Sequence, residues 1–343
     1  MHKVKEKTGV LLVNLGTPDS PSTPDVRKYL REFLMDKRVI DIPFLFRWLL
    51  VNGIIAIFRA PKSAKVYRQL WEDRGSPLMF YGRDVQDALQ QKLGDDYHVA
   101  LAMRYQSPSI QSALAALQAA AVKKVVLIPL FPQYASATTG SVIDKVMELV
   151  KDWQTIPDMH IVSNFVENPL FIDTIVQRAR PLMEKTDYDF YLFSYHGVPE
   201  RQIRKGSHGK FCQLNDACCS SYCPENRLCY RAQCFETSRQ VAATLGIPVE
   251  KYAVVFQSRL GKDPWIQPYA DEYLKALPAK GMKKVLAFSP SFVADCLETT
   301  IEVGEEFKEE FIEAGGEQWD LVDSLNAHPR WIDCLENIVQ EYE

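Results

Sequence analysis

The sequence lacks a long uninterrupted apolar segment. Its longest apolar run, Trp48 to Phe58, contains Asn52 and Gly53 and is bracketed by arginines, whereas a bilayer-spanning helix needs about 20 apolar residues. The apolar run near the amino terminus, VLLV at residues 10–13, is also too short for the apolar region of a signal peptide. We therefore expect a cytoplasmic protein, in which thiols stay reduced.

The chain also lacks glycine-rich nucleotide-binding patterns and an excess of positive charge. No Gly-x-Gly-x-x-Gly or Walker sequence follows a candidate strand, which argues against a dinucleotide or P-loop enzyme. The 40 Lys and Arg residues against 44 Asp and Glu residues give a net charge of -4, and the two signs are interspersed. Because nucleic-acid binding needs a basic surface, we predict neither a nucleotide cofactor nor a nucleic-acid partner.

Cysteine is scarce outside one short segment. Five of the eight cysteines lie in FCQLNDACCSSYCPENRLC, residues 211–229. Clustered thiols in a reducing compartment indicate metal binding rather than disulfides, and structural zinc and iron–sulfur clusters both use four cysteines. The segment predicts a site built from four of five residues: Cys212, Cys218, Cys219, Cys223 and Cys229. Because adjacent side chains usually diverge, one of Cys218 and Cys219 is the expected spare thiol.

Apolar, β-branched runs alternate with helical patterns along the chain. Strands are predicted at residues 10–15, 98–105, 124–130, 160–165, 190–195, 251–257 and 284–288. Helices are predicted at residues 25–35, 83–93, 109–120, 169–184, 235–245 and 331–342. A length of 343 residues favours two domains, and the alternation predicts a parallel α/β fold that occurs twice.

Ligands of such sheets bind outside the carboxyl ends of the strands, so the loops there are the candidate sites. His196 follows one predicted strand and precedes a Gly-Val-Pro turn. In DCLETTIEVGEE, Asp295, Glu298, Glu302 and Glu306 would share one face if the segment is helical. A histidine opposite carboxylates can bind a divalent cation and transfer protons. The alternatives are a histidine that caps a loop and a solvated acidic face.

Aromatic and basic residues also occur in these loops. Single aromatics are usually core residues, but together they would line an apolar pocket with an arginine for a carboxylate; these residues are Tyr67, Arg104, Tyr105, Phe131, Tyr134, Trp265 and Phe292. The run Trp48 to Phe58 is either a buried helix or an exposed apolar lip that contacts a membrane or an apolar ligand.

Several of these stretches together closely resemble the ferrochelatase family, whose members insert ferrous iron into a porphyrin. They are LLVNLGTPDSP, RGSPL, AMRYQSP, FPQYASATTGS, LFSYHGVPERQIRKG, QSRLGKDPWIQP and SPSFVADCLETTIEVGEEF. The resemblance implies two Rossmann-like chelatase domains, at residues 1–165 and 166–325, with a cysteine-rich insertion at about 207–229. It also implies a carboxyl-terminal helix at 326–343 that packs on the first domain.

The resemblance assigns roles to individual residues. His196 and Glu298 match the catalytic pair that meets the substrate iron, and Asp295, Glu302 and Glu306 resemble an acidic path leading inward. Porphyrin-binding positions are matched by Leu15, Tyr67, Ser76, Arg104, Trp265 and Phe292. Residues 44–58 match an apolar lip at the mouth of the cleft, which implies peripheral contact with a membrane. The oligomeric state is not predicted.

The family's substrates and cofactors leave two alternatives open. The apolar lip favours protoporphyrin IX as the substrate, with coproporphyrin as the alternative substrate. A non-enzymatic carrier of tetrapyrrole or metal is the alternative function. Some family members carry a [2Fe–2S] cluster, which favours the cluster over zinc. After HGVPERQIRKG the family usually continues with Asp-x-Tyr, whereas this chain has about twenty additional residues that contain the five cysteines.

Overall fold

The computed structural model describes residues 7–207, 209, 211–215, 217–259, 261 and 263–342. The chain forms two compact units. The first contains residues 7–131, 135–164 and 331–342, and the second contains residues 132–134 and 165–330.

The first unit is built on a parallel four-stranded sheet. Its strands are β1 (Thr8–Gly16), β2 (Tyr97–Tyr105), β3 (Lys124–Pro129) and β4 (Asp158–Ile161), in the order β2-β1-β3-β4. The central strand β1 is buried along nearly its whole length, with Val10 to Val13 fully inaccessible to solvent. A continuous apolar run of this kind is typical of a parallel strand covered on both faces.

Helices flank this sheet and begin where the sequence supplies capping residues. Ser22 and Ser109 accept hydrogen bonds from the backbone amides of Asp25 and Ser112, which satisfies donors at two helix starts. The α-helices are α1 (Thr23–Leu34), α2 (Phe44–Leu49), α3 (Ala60–Leu70), α4 (Pro77–Leu93), α5 (Ile110–Ala119) and α6 (Ser141–Val150), and the π-helices are Leu50–Arg59 and Ser136–Gly140.

The second unit repeats the same strand order. Its strands are β5 (Phe190–His196), β6 (Tyr252–Gln257), β7 (Lys284–Phe288) and β8 (Gln318–Leu321), all parallel and in the order β6-β5-β7-β8. Its α-helices are α7 (Pro169–Lys185), α8 (Glu200–Gly206), α9 (Tyr230–Leu245), α10 (Ala270–Ala276) and α11 (Phe307–Glu313). A π-helix spans Leu297–Glu306, and short 3₁₀ turns occupy Ala217–Cys219, Val249–Lys251 and Pro278–Lys280. The last helix, α12 (Pro329–Gln340), leads the chain back into the first unit.

The predicted duplicated parallel α/β fold is confirmed. In both units a π-helix and an α-helix follow the third strand in sequence and lead to an edge strand. Two strands differ from the prediction. The strand predicted at 160–165 is Asp158–Ile161, and β8 was not predicted because its four residues, QWDL, form no apolar run.

The apolar segment of the first unit is an exposed helix, so its interpretation as a buried helix is wrong. Phe44–Leu70 forms one helical stretch of 27 residues, and large apolar side chains such as Phe44 and Phe58 are 64% and 69% exposed. By length and composition alone this stretch could cross a membrane, with a mean hydropathy of 1.4 in its most apolar window. The eleven-residue apolar run, Trp48 to Phe58, is therefore only the middle of a longer helical stretch, which begins at Phe44 and ends at Leu70.

Candidate active site

His196 lies at the carboxyl end of β5, where the sequence predicted a site. It pairs in register with Gln257 at the end of β6. The imidazole Nδ1 lies 2.6 Å from the Gly197 carbonyl oxygen. Because a carbonyl oxygen only accepts hydrogen bonds, Nδ1 carries the hydrogen, and Nε2 of the neutral ring has a free lone pair. His196 can therefore accept a proton at Nε2.

Gly197 allows the chain to bend closely around this histidine. Its amide donates to the Gln257 carbonyl oxygen at 2.8 Å. A Cβ atom at this position would lie 2.9 Å from the same oxygen and 3.1 Å from the Trp265 ring. Any residue larger than glycine would therefore collide with the Gln257 backbone. The centroid of the Trp265 ring is 6.4 Å from that of the imidazole. The structure thus brings together His196 and Trp265, which are 69 positions apart in the sequence.

The predicted carboxylates lie on and before the π-helix Leu297–Glu306. The π-helix contains Glu298, Glu302 and Glu306, and π-helical turns occur frequently at functional sites. Asp295 precedes the helix. Its carboxylate accepts from the Asn326 side chain at 2.7 Å and from the Ser324 amide at 3.2 Å. Asp295 therefore anchors the loop that follows β8 and is not part of the helical face expected for all four acids.

Glu302 is hydrogen-bonded to Gln257, the last residue of β6, and to Ser258, which follows it. Its Oε2 accepts from Ser258 Oγ at 2.5 Å and from Gln257 Nε2 at 3.1 Å. Burial raises the pKa of Glu302, and the nearby Glu298 raises it as well, whereas the Ser258 hydrogen bond and His196 lower it. Gln257, which pairs with His196 between β5 and β6, therefore links the histidine strand to Glu302.

Gln257 and Ser258 are functional residues that the sequence reasoning did not single out. Gln257 also accepts from Ser194 Oγ at 2.6 Å and donates to the Glu298 carbonyl oxygen at 3.2 Å. Ser258 has a backbone φ of 64°, which is strained for a residue other than glycine. In the sequence, Gln257 ends a predicted strand and Ser258 follows it, and both begin the stretch QSRLGKDPWIQP that carries the family resemblance.

Glu306 ends the π-helix and is exposed. Burial raises the pKa of this carboxyl group, and repulsion from Glu310, Glu309 and Glu305 adds to the effect. The helix thus carries Glu302, whose carboxylate is hydrogen-bonded to Gln257 and Ser258, and, one turn later, Glu306, whose carboxylate contacts solvent.

The other predicted pocket residue of this unit is Phe292, which is half-buried beside the Ser289 turn. The remaining four belong to the first unit. Leu15 and Tyr67 pack at the edge of its helical core, and Ser76 is buried with its hydroxyl 2.9 Å from that of Thr17.

Arg104 is held by an ion pair that the sequence did not indicate. Its guanidinium donates to Asp36 at 2.6 Å and to Ser141 Oγ at 2.7 Å. Asp36 also accepts from Tyr105 at 2.9 Å and from the Arg38 amide at 2.7 Å. Burial opposes ionisation of Asp36, but a hydrogen bond from the Ser141 hydroxyl at 2.5 Å, together with these bonds and Arg104, holds its pKa below the usual value. Arg104 is therefore already neutralised, rather than an unpaired cation for a substrate carboxylate.

Four of the five clustered cysteines line one cavity. The residues around it include Cys212, Cys218, Cys219 and Cys229, but not Cys223. The Sγ atoms of Cys218 and Cys219 are 3.9 Å apart, so the expected divergence of this pair is wrong. Two thiolates on one tetrahedral metal with bonds of about 2.3 Å lie about 3.8 Å apart. Among the residues described, no three His, Cys, Asp or Glu side chains already form a metal-ion group.

The four thiols of this cavity differ in their pKa: burial raises the pKa of Cys212, Cys219 and Cys229, whereas that of Cys218 is lowered. Burial opposes ionisation of Cys218, but hydrogen bonds from the backbone at Gln213 and Asn215 lower its pKa below the usual value. Burial raises the pKa of Cys219 to about 12, and the Arg231 guanidinium opposes that rise. Arg231 is itself buried, with 4% of its surface exposed. A buried cation beside four clustered thiols fits a site for a metal or an iron–sulfur cluster.

Comparisons with known proteins identify the family of the chain. The family model described as Ferrochelatase matches residues 7–343. Ferrochelatases of Coxiella burnetii (strain Dugway 5J108-111) and Legionella pneumophila (strain Lens) are 43% and 44% identical to the chain, covering 99% and 98% of it and 95% and 99% of the relatives. Both relatives therefore match the chain along almost its whole length.

Two solved structures share the fold at low sequence identity. The sirohydrochlorin chelatase SirB from Bacillus subtilis subspecies spizizenii, in complex with cobalt, has a TM-score of 0.53 at 10% identity, covering 98% of this chain and 94% of that one. SirB from Bacillus subtilis with Fe³⁺ has a TM-score of 0.51 at 11% identity, covering 98% and 95%. These two show the fold alone, and the family follows from the family model and the two relatives. The chain belongs to the ferrochelatase family.

Proposed function

We propose that this enzyme inserts Fe(II) into protoporphyrin IX with release of two protons to give protohaem, the last step of haem biosynthesis. Its family membership supports metal insertion into a porphyrin. The observation that carries the proposal is the cluster of His196 and Glu302. An imidazole with a free Nε2 interacts there with a carboxyl group of raised pKa.

The reaction needs a proton acceptor because two pyrrole N–H groups occupy the centre of the free macrocycle. Nε2 of His196 accepts a pyrrole proton, and its Nδ1–H bond to Gly197 holds the ring in the required tautomer. The proton then passes to Glu302. A carboxyl group whose pKa is raised toward the working pH transfers protons more effectively than an ordinary glutamate.

The same residues suit the metal. Imidazole nitrogen and carboxylate oxygen are both ligands of Fe(II) in proteins, and His196 and Glu298 supply one of each. Glu298 lies in the first turn of the π-helix, and its carbonyl oxygen accepts from Gln257, which also bonds Glu302. Glu306 then takes up the proton, because repulsion from its acidic neighbours favours its protonated form. Since Glu306 is exposed, it releases the proton to solvent.

The helix of the first unit supports protoporphyrin as the substrate and a membrane as its source. Its exposed large apolar side chains are Phe44, Leu45, Phe46, Trp48, Leu49, Ile54, Ile57 and Phe58. Arg59, Lys62 and Lys65 follow on the same helix and are exposed. Apolar side chains beside basic ones are typical of helices that lie in a membrane interface. The enzyme thus acts in the cytoplasm in peripheral contact with a membrane, where an apolar porphyrin partitions.

The cysteine segment is assigned a [2Fe–2S] cluster held by Cys212, Cys218, Cys219 and Cys229. Arg231 offsets the negative charge of the thiolates. A bound cluster supplies one-electron redox chemistry, and no step of metal insertion depends on it. Zinc is the alternative occupant; since zinc is colourless, visible absorption of the purified protein distinguishes the two.

The substrate is tested by comparing two porphyrins. Purified protein is given Fe(II) without oxygen and either protoporphyrin IX or coproporphyrin III, and kcat/KM is measured for each. We expect protoporphyrin to be preferred by at least about tenfold. Preference for coproporphyrin would reject the proposed substrate but keep the reaction, and tight binding of both without turnover would identify a carrier.

A further inference from the structure

Tyr230 connects the cysteine segment to the catalytic histidine. It is the first residue of α9 and directly follows Cys229, which lines the cysteine cavity. The Tyr230 hydroxyl donates to the carbonyl oxygen of His196 at 2.8 Å. The side chain is 7% exposed, so this hydrogen bond is shielded from water.

This hydrogen bond completes the fixation of one peptide group. The peptide between His196 and Gly197 has its carbonyl bonded to Tyr230 and its N–H bonded to the carbonyl of Gln257 at 2.8 Å. The next carbonyl, that of Gly197, accepts the Nδ1–H of the imidazole. Rotation of the fixed peptide would move that acceptor, so the tautomer and direction of the His196 ring depend on Tyr230.

The residues on either side of Tyr230 anchor it. Cys229 precedes it, and the backbone amide of Cys229 donates to the Asn226 carbonyl at 2.8 Å. Arg231 follows it and donates to the carbonyls of Asn215, at 2.9 Å, and Gln267, at 3.2 Å. Three consecutive residues thus join the cysteine segment, the His196 strand and the loop after Trp265.

We propose that Tyr230 is a positioning residue for His196. It touches no reacting atom, and it acts by holding the backbone that fixes the imidazole with Nε2 free to accept a proton. The effect on turnover rests on the proposed function, whereas the effect on the imidazole does not, because the ring can be observed without substrate.

The test compares a variant of Tyr230 with a variant of Tyr222. Both are made in the full-length protein, purified with the metal of its cysteine segment. Tyr230→Phe removes the hydroxyl and keeps the buried ring, so the core volume is almost unchanged. Tyr222→Phe is the matched control, since the Tyr222 hydroxyl also donates to a backbone carbonyl, that of Arg227 at 2.9 Å, within the cysteine segment. The measurements are kcat and KM for protoporphyrin IX, and the ¹⁵N signals of the His196 ring in the resting enzyme.

Loss of one such hydrogen bond should lower kcat about three- to tenfold and change KM less than twofold. The His196 ring should lose part of its Nδ1–H tautomer, and Tyr230→Phe should cause no further loss in a His196→Ala background. Tyr222→Phe should match the wild type. Unchanged His196 signals would overturn the inference, as would equal losses in both tyrosine variants. A wild-type protein without chelatase activity would reject the proposed function, and the ring signals would still decide the role of Tyr230.

Discussion

Ser258 offers a direct test of the link between Glu302 and His196. Its hydroxyl donates to Glu302 at 2.5 Å, and its backbone φ of 64° costs about 1–2 kcal/mol in a residue other than glycine. A strained residue that bonds a buried carboxylate indicates a functional constraint. Ser258→Ala removes the hydrogen bond, and Ser258→Gly removes both the bond and the strain.

The size of the expected pKa change in the Ser258 variants follows from the charge of Glu302, which accepts the hydrogen bond. A hydrogen bond to an ionised group contributes about 1.5–3 kcal/mol, and it favours the ionised form of Glu302. Its loss raises the pKa of Glu302 in the same direction as burial already does. Because Glu302 must be ionised to receive the proton, the acid limb of kcat should move up by about one to two pH units at 1.36 kcal/mol per unit.

The raised pKa of Glu302 should also make the stability of the folded protein fall as the pH rises. A carboxyl group with a raised pKa in the folded protein contributes its full stability below the unfolded value of about 4.3, and this contribution is lost as the pH rises through the folded pKa. Ser258→Ala should therefore destabilise the protein more at pH 7 than at pH 4. Ser258→Gly should be more stable than Ser258→Ala by about 1 kcal/mol, because glycine adopts a positive φ freely.

The assay is kcat for zinc insertion into protoporphyrin between pH 5 and pH 9, with urea unfolding at pH 4 and pH 7. Ser112→Ala is the control, since it removes an exposed hydroxyl that bonds a helix-end carbonyl on α5. An acid limb that stays in place in both Ser258 variants would refute the proton transfer from His196 to Glu302.

Three further predictions concern the rest of the molecule. Cys218→Ser should abolish the visible absorption of the bound cluster, whereas Cys223→Ser should keep it; the reverse result would reject the ligand set. Phe58→Glu should weaken cosedimentation with anionic lipid vesicles about tenfold, given about 1.5–3 kcal/mol for a buried phenylalanine, and unchanged binding would contradict the membrane contact. Asp36→Ala leaves Arg104 buried without its carboxylate, which should lower the free energy of unfolding by about 3–5 kcal/mol; a loss below 1 kcal/mol in urea unfolding would show that the pair is not structural.

The parallel strands were predictable because buried strands read as continuous apolar runs. The run KVLAF became β7 with the predicted bounds, and His196 followed from its place at a strand end. The edge strand β8 carries polar residues along a short segment, so its sequence holds no such signal. Local patterns therefore predicted the centre of each sheet better than its edge.

The details of the site depended on contacts between distant residues. The hydrogen bonds from Ser258 to Glu302 and from Tyr230 to His196 join positions 44 and 34 residues apart, and no spacing rule connects them. The four acids were expected to share one face if their segment is helical, but the segment forms a π-helix that begins after Asp295. The five cysteines were visible in the sequence, whereas the closeness of Cys218 and Cys219 required the 3₁₀ turn at that pair.

The most direct test of the proposed function is the turnover of His196→Ala with Fe(II) and protoporphyrin IX. General acid–base catalysis by a positioned side chain contributes about 10²–10⁴-fold. We expect kcat to fall by at least about a hundredfold in a folded protein that still binds the porphyrin. Near-normal turnover in that variant would contradict the account, because it would remove His196 from the path of the pyrrole proton.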